Sequence, residues 1–115
     1  MKKINQENIY DYLDEVAPEF RNYKDYTMWY HENPSLHIGN FATFIIVEIE
    51  ERKEGIKKIF SFINESINNE MIEEDFKNIF IGQIFETLAE SKQAIKITQK
   101  LLNGEALKIF NLQVE

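Results

Sequence analysis

Cysteine is absent from the 115 residues, which excludes disulfides, thiolate metal ligands and a cysteine nucleophile. Glycine and proline are scarce, at four and two copies, so the chain lacks the punctuation of a turn-rich β architecture and favours long helices with short connections. Long apolar runs are missing as well. The longest is Phe44-Ile45-Ile46-Val47, where a membrane span needs roughly 20 residues. No apolar stretch follows Met1-Lys2-Lys3, so no secretory signal is read there and the expectation is a cytoplasmic protein with no membrane partner. Asn64-Glu65-Ser66 matches a glycosylation acceptor, a match without consequence when there is no export.

Basic charge is also in short supply. Thirteen lysines and arginines face 20 aspartates and glutamates, for a net charge of −7. The surplus is spread along the chain and forms no tail. Neutralising phosphates requires a clustered basic face, so nucleic acid is not an expected partner. A basic protein is electrostatically permitted, although an acidic surface also serves solubility alone. With 43% hydrophobic and 29% charged residues, the composition is that of one globular domain spanning residues 1–115, able to hide roughly two-thirds of its extended-chain surface.

Apolar spacing predicts the elements. A first helix is expected from Asn5 to Val16, with Asn5 as N-cap, Ile4 stapling from outside and Ile9, Leu13 and Val16 on one face. Pro18 suits the first turn of a second helix, which carries Phe20, Tyr23, Thr27 and Tyr30 until Asn33-Pro34 stops it. Ser35 is placed to cap the third, from Leu36 to Arg52. Its β-branched stretch from Thr43 to Ile49 admits a strand. Ile38, Phe41, Ala42, Ile45, Ile46 and Ile49 nevertheless follow helical spacing, and a buried helix is preferred.

Gly55 ends or bends that helix and opens a fourth, whose stripe is Ile56, Ile59, Phe60, Ile63 and Ile67; Asn68-Asn69 reads as a loop. A fifth helix is expected from Met71 to Glu90, with Glu73, Glu74 and Asp75 in its first turns, where the helix dipole favours anions. It is apolar on two sides. Ile72, Phe76, Ile79, Phe80, Ile84 and Leu88 make one face, and Ile81 and Phe85 begin another, which predicts a central position; Gly82 would admit a close neighbour. Ser91 caps a sixth helix, with Ala94, Ile95, Ile97, Leu101 and Leu102, that Asn103-Gly104 closes through a left-handed residue. A short last helix or extended tail holds Ala106, Leu107, Ile109, Phe110 and Leu112. The expected fold is all-α, a compact antiparallel helical array or irregular bundle of six to seven helices. No repeat of fixed period is found.

Reactive constellations are thin. His31 and His37 stand six apart across Asn33-Pro34, whereas a helical zinc site places two histidines four apart beside a glutamate. Metal is not expected. Glu48, Glu50, Glu51 and Glu54, and the run Glu73-Glu74-Asp75, offer paired carboxylates for acid–base chemistry, but both runs fall near predicted helix ends and read as solvated faces. Glu-x-x-His, phosphate-binding glycine loops and Gly-x-Ser-x-Gly are all missing. No catalytic residue and no cofactor are assigned.

Two features carry the binding expectations. Tyr26, Trp29, Tyr30 and His31 form an aromatic cluster with Tyr23, and tyrosine and tryptophan suit protein interfaces because each joins an apolar body to a polar tip. Tyr26 and Trp29 depart from the Phe20–Tyr23–Thr27 stripe and are preferred for that role. Asp75, Asn78, Gly82 and Glu86 form a polar stripe on the fifth helix. Glu86, between Phe85 and Leu88, is expected to be partly buried and to need donors there, either capping a neighbouring helix or lining a groove with Asp75 and Asn78.

Ala17-Pro18-Glu19-Phe20, His37-Ile38-Gly39, Ile59-Phe60-Ser61-Phe62-Ile63-Asn64 and Gly82-Gln83-Ile84-Phe85-Glu86-Thr87-Leu88 together resemble a set of small all-helical bacterial domains of unknown function. Some of that set resemble immunity proteins of polymorphic toxin systems. The resemblance implies a non-catalytic protein-binding module that occludes a toxin, which for a basic toxin would use this acidic surface for fast encounter. No functional residue is carried over from it. The alternatives are a helical homo-oligomeric scaffold, with a homodimer formed through the aromatic cluster, and a small-ligand binder or enzyme with a pocket between the third and fifth helices.

Overall fold

In the computed structural model, residues 3–23 and 33–115 are described, and they form an all-α array. The helices are α1 (Ile9–Val16), α2 (Pro34–Glu50), α3 (Gly55–Asn68), α4 (Glu74–Leu88), α5 (Lys92–Leu101) and α6 (Gly104–Val114), with a 3₁₀ turn at Pro18–Asn22. The array measures 32 × 30 × 21 Å. No helix among the described residues is long and apolar enough to cross a membrane.

Helix α2 organises the core. Only Leu36 and Glu50 of its residues are exposed, and it touches α1, α3, α4 and α5, lying longest against α4. The stretch from Thr43 to Ile49 is therefore helix, despite its β-branched residues. Burial on nearly all sides outweighs a propensity deficit of a few tenths of a kcal/mol per residue, on the order of the spread among ordinary residues. Phe41 and Phe44 meet Phe20 of the 3₁₀ turn at ring-centroid distances of 5.1 and 5.3 Å. His37 is wholly buried beside Tyr10 and Phe20, at 4.9 and 5.2 Å. The predicted fifth helix, α4, is flanked as expected: it runs along α2, and Phe85 packs edge-on against Phe110 of α6 at 5.3 Å.

Several predicted boundaries move, each for a local reason. Asn5 caps a turn ahead of α1, its Oδ1 accepting from Glu7 N and Asn8 N at 2.8 and 2.9 Å, so the helix itself begins at Ile9. Ile4 is fully buried and pairs with the segment just before α4: its N–H donates to Met71 O at 2.7 Å, and Glu73 N donates to Ile4 O at 2.9 Å. Ile72 is spent on that bridge, which is why the fifth helix starts at Glu74 rather than Met71. The second helix is a 3₁₀ turn that ends at an extended Tyr23. Thr27 and Tyr30 of its stripe lie outside the described residues. Asn33, not Ser35, caps α2, accepting from Leu36 N at 3.1 Å with Pro34 in the first turn.

Two helix ends use left-handed residues other than glycine. Arg52 (φ 56°) closes α2, with Lys53 N donating to Glu48 O and Arg52 N to Ile49 O. Glu70 (φ 52°) closes α3 in the same way, through Met71 N to Ser66 O and Glu70 N to Ile67 O. These are Schellman closures. Gly55 consequently opens α3 without ending α2. Gly104 is left-handed as expected, at φ 57°, but it opens α6 rather than closing α5. Asn68 is the last residue of α3 rather than loop. Its Nδ2 donates to Asn103 O and Oδ1, and its Oδ1 accepts from Ala106 N at 2.9 Å, capping α6 from a neighbouring helix. Asn64 adds a second tie, donating to Leu101 O and accepting from Asn103 N.

The glycine that lets α2 and α4 approach is Gly39, where a Cβ would stand 3.1 Å from Gln83 Oε1; a Cβ on Gly82 would meet nothing within 4 Å. Gly82→Ala should therefore stabilise the fold by about 0.5–1 kcal/mol, the helix-interior preference for alanine. Gly104→Ala should destabilise it by about 1–2 kcal/mol, from the left-handed backbone alone, with a 3.0 Å contact to the Asn68 side chain added. Urea unfolding of the two variants checks the opposite signs.

Candidate functional site

The structure does not gather the residues singled out from sequence. Tyr26, Trp29, Tyr30 and His31 lie outside the described residues. Asp75, Asn78 and Glu86 are all exposed. Glu86 is not partly buried, contrary to expectation, because the buried side of α4 is set by Phe76, Phe80, Ile84 and Leu88, and a residue two positions beyond Ile84 points to the far side of a helix. Ile79 sits on that same outer side at 39% exposure and leaves the core face where spacing had placed it. The stripe is a solvated face. Asp75 shares a shallow hollow with Asn5, Gln6, Glu7, Glu73, Phe76 and Ile79, with no buried charge in it.

A different carboxylate is exceptional. Glu48 sits in α2 on the side that carries Phe41, Phe44 and Ile45, and it is only 9% exposed. Its neighbours in sequence, Glu50, Glu51 and Glu54, are exposed as expected of a helix end. Three elements meet over Glu48. The 3₁₀ turn brings Glu19 and Tyr23, the Schellman turn after α2 brings Glu51, Lys53 and Glu54, and α3 begins at Gly55. A Cβ on Gly55 would lie 3.5 Å from Glu48 Oε1, so the first turn of α3 is set directly against the carboxylate. An ion pair between Asp14 and Arg21, at 3.2 Å, ties the 3₁₀ turn to α1.

The result is a cleft of about 370 Å³ whose apolar floor is Phe44, Val47 and Tyr23 and whose charged lining is Glu48 with Glu19, Glu51, Glu54 and one cation, Lys53. Among the described residues no hydrogen bond or ion pair reaches the Glu48 carboxylate, and Lys53 stays beyond ion-pair distance. Burial pushes the Glu48 carboxyl above the ordinary glutamate range. Repulsion from Glu19 adds to this, Lys53 opposes it, and Glu51 adds a further push. The cleft carries more negative than positive charge, four glutamates against Lys53. The carboxylate is relieved either by a proton or by a cation entering the cleft.

A wider hollow of about 540 Å³ lies between α1 and α3, lined by Tyr12, Val16 and Phe62 with Asn8, Asp11, Glu15 and Lys58. None of its side chains is buried, and Lys58 is engaged with Glu15 O, so it holds no unbalanced group. Among the described residues no three histidine, aspartate or glutamate side chains are grouped to hold a metal ion. The Glu48 cleft was in part legible, since Glu48 follows Phe41 and Ile45 on the buried side of the helix. The approach of Glu19 and Gly55 was not, because both are tertiary. No protein-family model matches the chain, and neither does any curated protein or solved structure.

The pH dependence of stability tests the site. A carboxyl raised in the folded state penalises folding while it is ionised, and the penalty is lifted as pH falls through the folded value toward the unfolded one. Glu48→Gln should therefore raise the unfolding free energy near neutral pH, with the gain shrinking to nothing toward about pH 4, the range of unfolded glutamate. Denaturant midpoints of the two proteins across that range give the answer. A gain that stays constant with pH would mean that Glu48 carries no raised carboxyl.

Proposed function

We propose that the protein is a non-catalytic binding module that captures a basic protein partner in the cytoplasm, in the manner of the toxin-occluding immunity proteins that its sequence resembles. The observation that carries this reading is Glu48, a residue only 9% exposed that makes no hydrogen bond or ion pair among the described residues and lines one cleft with Glu19, Glu51 and Glu54. Leaving a charge so placed costs stability, and a positively charged surface docked over the cleft supplies the missing compensation. The acidic surplus of −7 supports the same partner at long range, because like-signed charge over the whole surface speeds encounter with a basic protein and repels acidic ones. The dispersed lysines speak against nucleic acid as the partner.

Co-expression with a toxin-type protein, should one be encoded beside it, is the direct test. Cells should survive the toxin when this chain is made, and the complex should co-purify and weaken steeply with salt. Glu48→Lys should lose rescue, since placing a like charge against a basic surface costs about 2–5 kcal/mol at a buried pair. If no basic protein co-purifies from the native host and no protection is seen, the reading fails.

A further inference from the structure

We infer that the outward face of α5 docks on the outward face of α1 in a second copy of this chain, setting a row of lysines against a row of carboxylates. The acidic surplus is reversed locally around α5. Residues 91–115 hold four lysines and two glutamates, against nine basic and 18 acidic residues in 1–90, and no acid lies between Glu90 and Glu105. Lys92, Lys96 and Lys100 are all exposed. They recur every four residues, and Lys96 stands two residues from each of the buried Ala94 and Thr98, so the row runs along the side of the helix that faces away from the core. None of the three forms an ion pair among the described residues.

Helix α1 carries the matching row. Asp11 and Glu15 are exposed at the same spacing, with Asp11 two residues from each of the buried Ile9 and Leu13, and the exposed Glu7 extends the row into the turn before the helix. Asp14, on the flank, is paired with Arg21, whereas Glu7, Asp11 and Glu15 form no ion pair among the described residues; Lys58 donates to the backbone oxygen of Glu15. Both rows advance about 6 Å per step, four residues of helix, so opposite charges stay in register along the contact. Asp11 and Glu15 also border the hollow floored by Tyr12, Val16 and Phe62, an apolar bed for lysine stems whose ammonium ends reach the rim. Three lysines in one row, on a chain of net charge −7, are too few to hold a nucleic-acid backbone against repulsion from the rest of the molecule. Between two copies that repulsion is spread over the surface and screened beyond about 8 Å at physiological salt, whereas the facing rows act at contact.

The experiment needs only the full chain. Backbone amide shifts and translational diffusion are followed by NMR over a dilution series reaching about 2 mM, in about 0.1 M salt. Exposed ion pairs are individually weak, so the dissociation constant should be on the order of 0.1–1 mM. Shifts should concentrate at residues 7–16, 58–62 and 92–100 and shrink in about 0.5 M salt. Asp11→Lys/Glu15→Lys and, separately, Lys96→Glu/Lys100→Glu should each weaken self-association roughly tenfold or more. The first pair lowers the net charge in magnitude, which would strengthen any association governed by overall repulsion, so its loss is specific to the face. Mixing the two reversed variants should restore association, because each face then meets its opposite on the other variant. Asp11→Asn/Glu15→Gln removes charge while keeping shape and repeats the loss should a reversed variant fold poorly. Glu50→Gln/Glu74→Gln, on neither face, should not weaken association.

Shifts that do not depend on concentration, or an association that survives either reversal, would overturn the inference. So would reversed variants that stay apart when mixed. Phosphatidylserine vesicles form a further arm: a wild-type chain that binds them through Lys92, Lys96 and Lys100 while remaining monomeric would give the basic face to a membrane and end the proposal. Neither face includes Glu48, so this outcome is independent of the capture of a basic partner, which stands or falls on the rescue experiment.

Discussion

Helix α2 gives up nearly all of its surface to its neighbours, and the placement of the other elements follows from that. A helix buried on most sides must be apolar around most of its circumference, and α2 meets this requirement with phenylalanine and isoleucine at almost every turn. Phe41 and Phe44 then need a ring to pack against, and Phe20 supplies it from a 3₁₀ turn that the chain makes immediately after α1. Gly39 lets α4 lie close on another side. The wrapping is complete until the last turn of α2, where the first residues of α3 and the 3₁₀ turn close over the helix from different directions. A residue at that place is largely buried by the same contacts that bury the hydrophobes, and Glu48 is the residue there.

The periphery is held by polar side chains more than by turn glycines. Asn64 and Asn68 stand one turn apart on α3 and between them bond Leu101 O, both backbone groups of Asn103 and the N–H of Ala106. They fix the α5–α6 connection and satisfy a helix start that has no side-chain cap of its own. Ile4 does comparable work with its backbone, joining the N-terminal segment to the residues before α4. The extremities of the chain are thus tied to the middle, and a domain of only 115 residues needs no covalent staple.

Legibility in the sequence divided along these lines. Periodicity exposed the helices, because every one of them must present a face to α2 or to a helix resting on it, and that demand repeats at a fixed angle. Ends were less legible. The signals sought were glycine and the nearest serine, whereas α2 and α3 close on Arg52 and Glu70, and α6 is capped from α3 by Asn68. Nothing local in the sequence separates such residues from ordinary surface ones. The two misjudged glutamates share a cause. Glu86 was expected to be partly buried because Phe85 and Leu88 flank it in sequence, and Glu48 was read as solvated because its run falls near a helix end. Burial in a helix is decided by angle, which puts Glu48 with Ile45 and Phe41, and Glu86 opposite Ile84.

Position 48 then poses a question of cost. A leucine there would continue the apolar side that Phe41 and Ile45 begin, would replace a largely buried glutamate by a side chain worth roughly 1.5–3 kcal/mol on burial, and would break no hydrogen bond among the described residues. Glutamate forgoes that gain and adds repulsion from Glu19 and Glu51. Inconsistencies of this kind, a local rule broken on the buried side of a helix with no hydrogen bond to the offending group among the described residues, gather at functional sites. Lys53 offsets that cost in part, and the sign of anything that would add to this is fixed: only a positive charge, or a proton, lowers the energy of this carboxylate. Since the three surrounding glutamates stay at the surface, they cost the fold little while adding to the attraction for whatever cation arrives. Glu48 alone thus costs the isolated domain stability, and a cation in the cleft would return it.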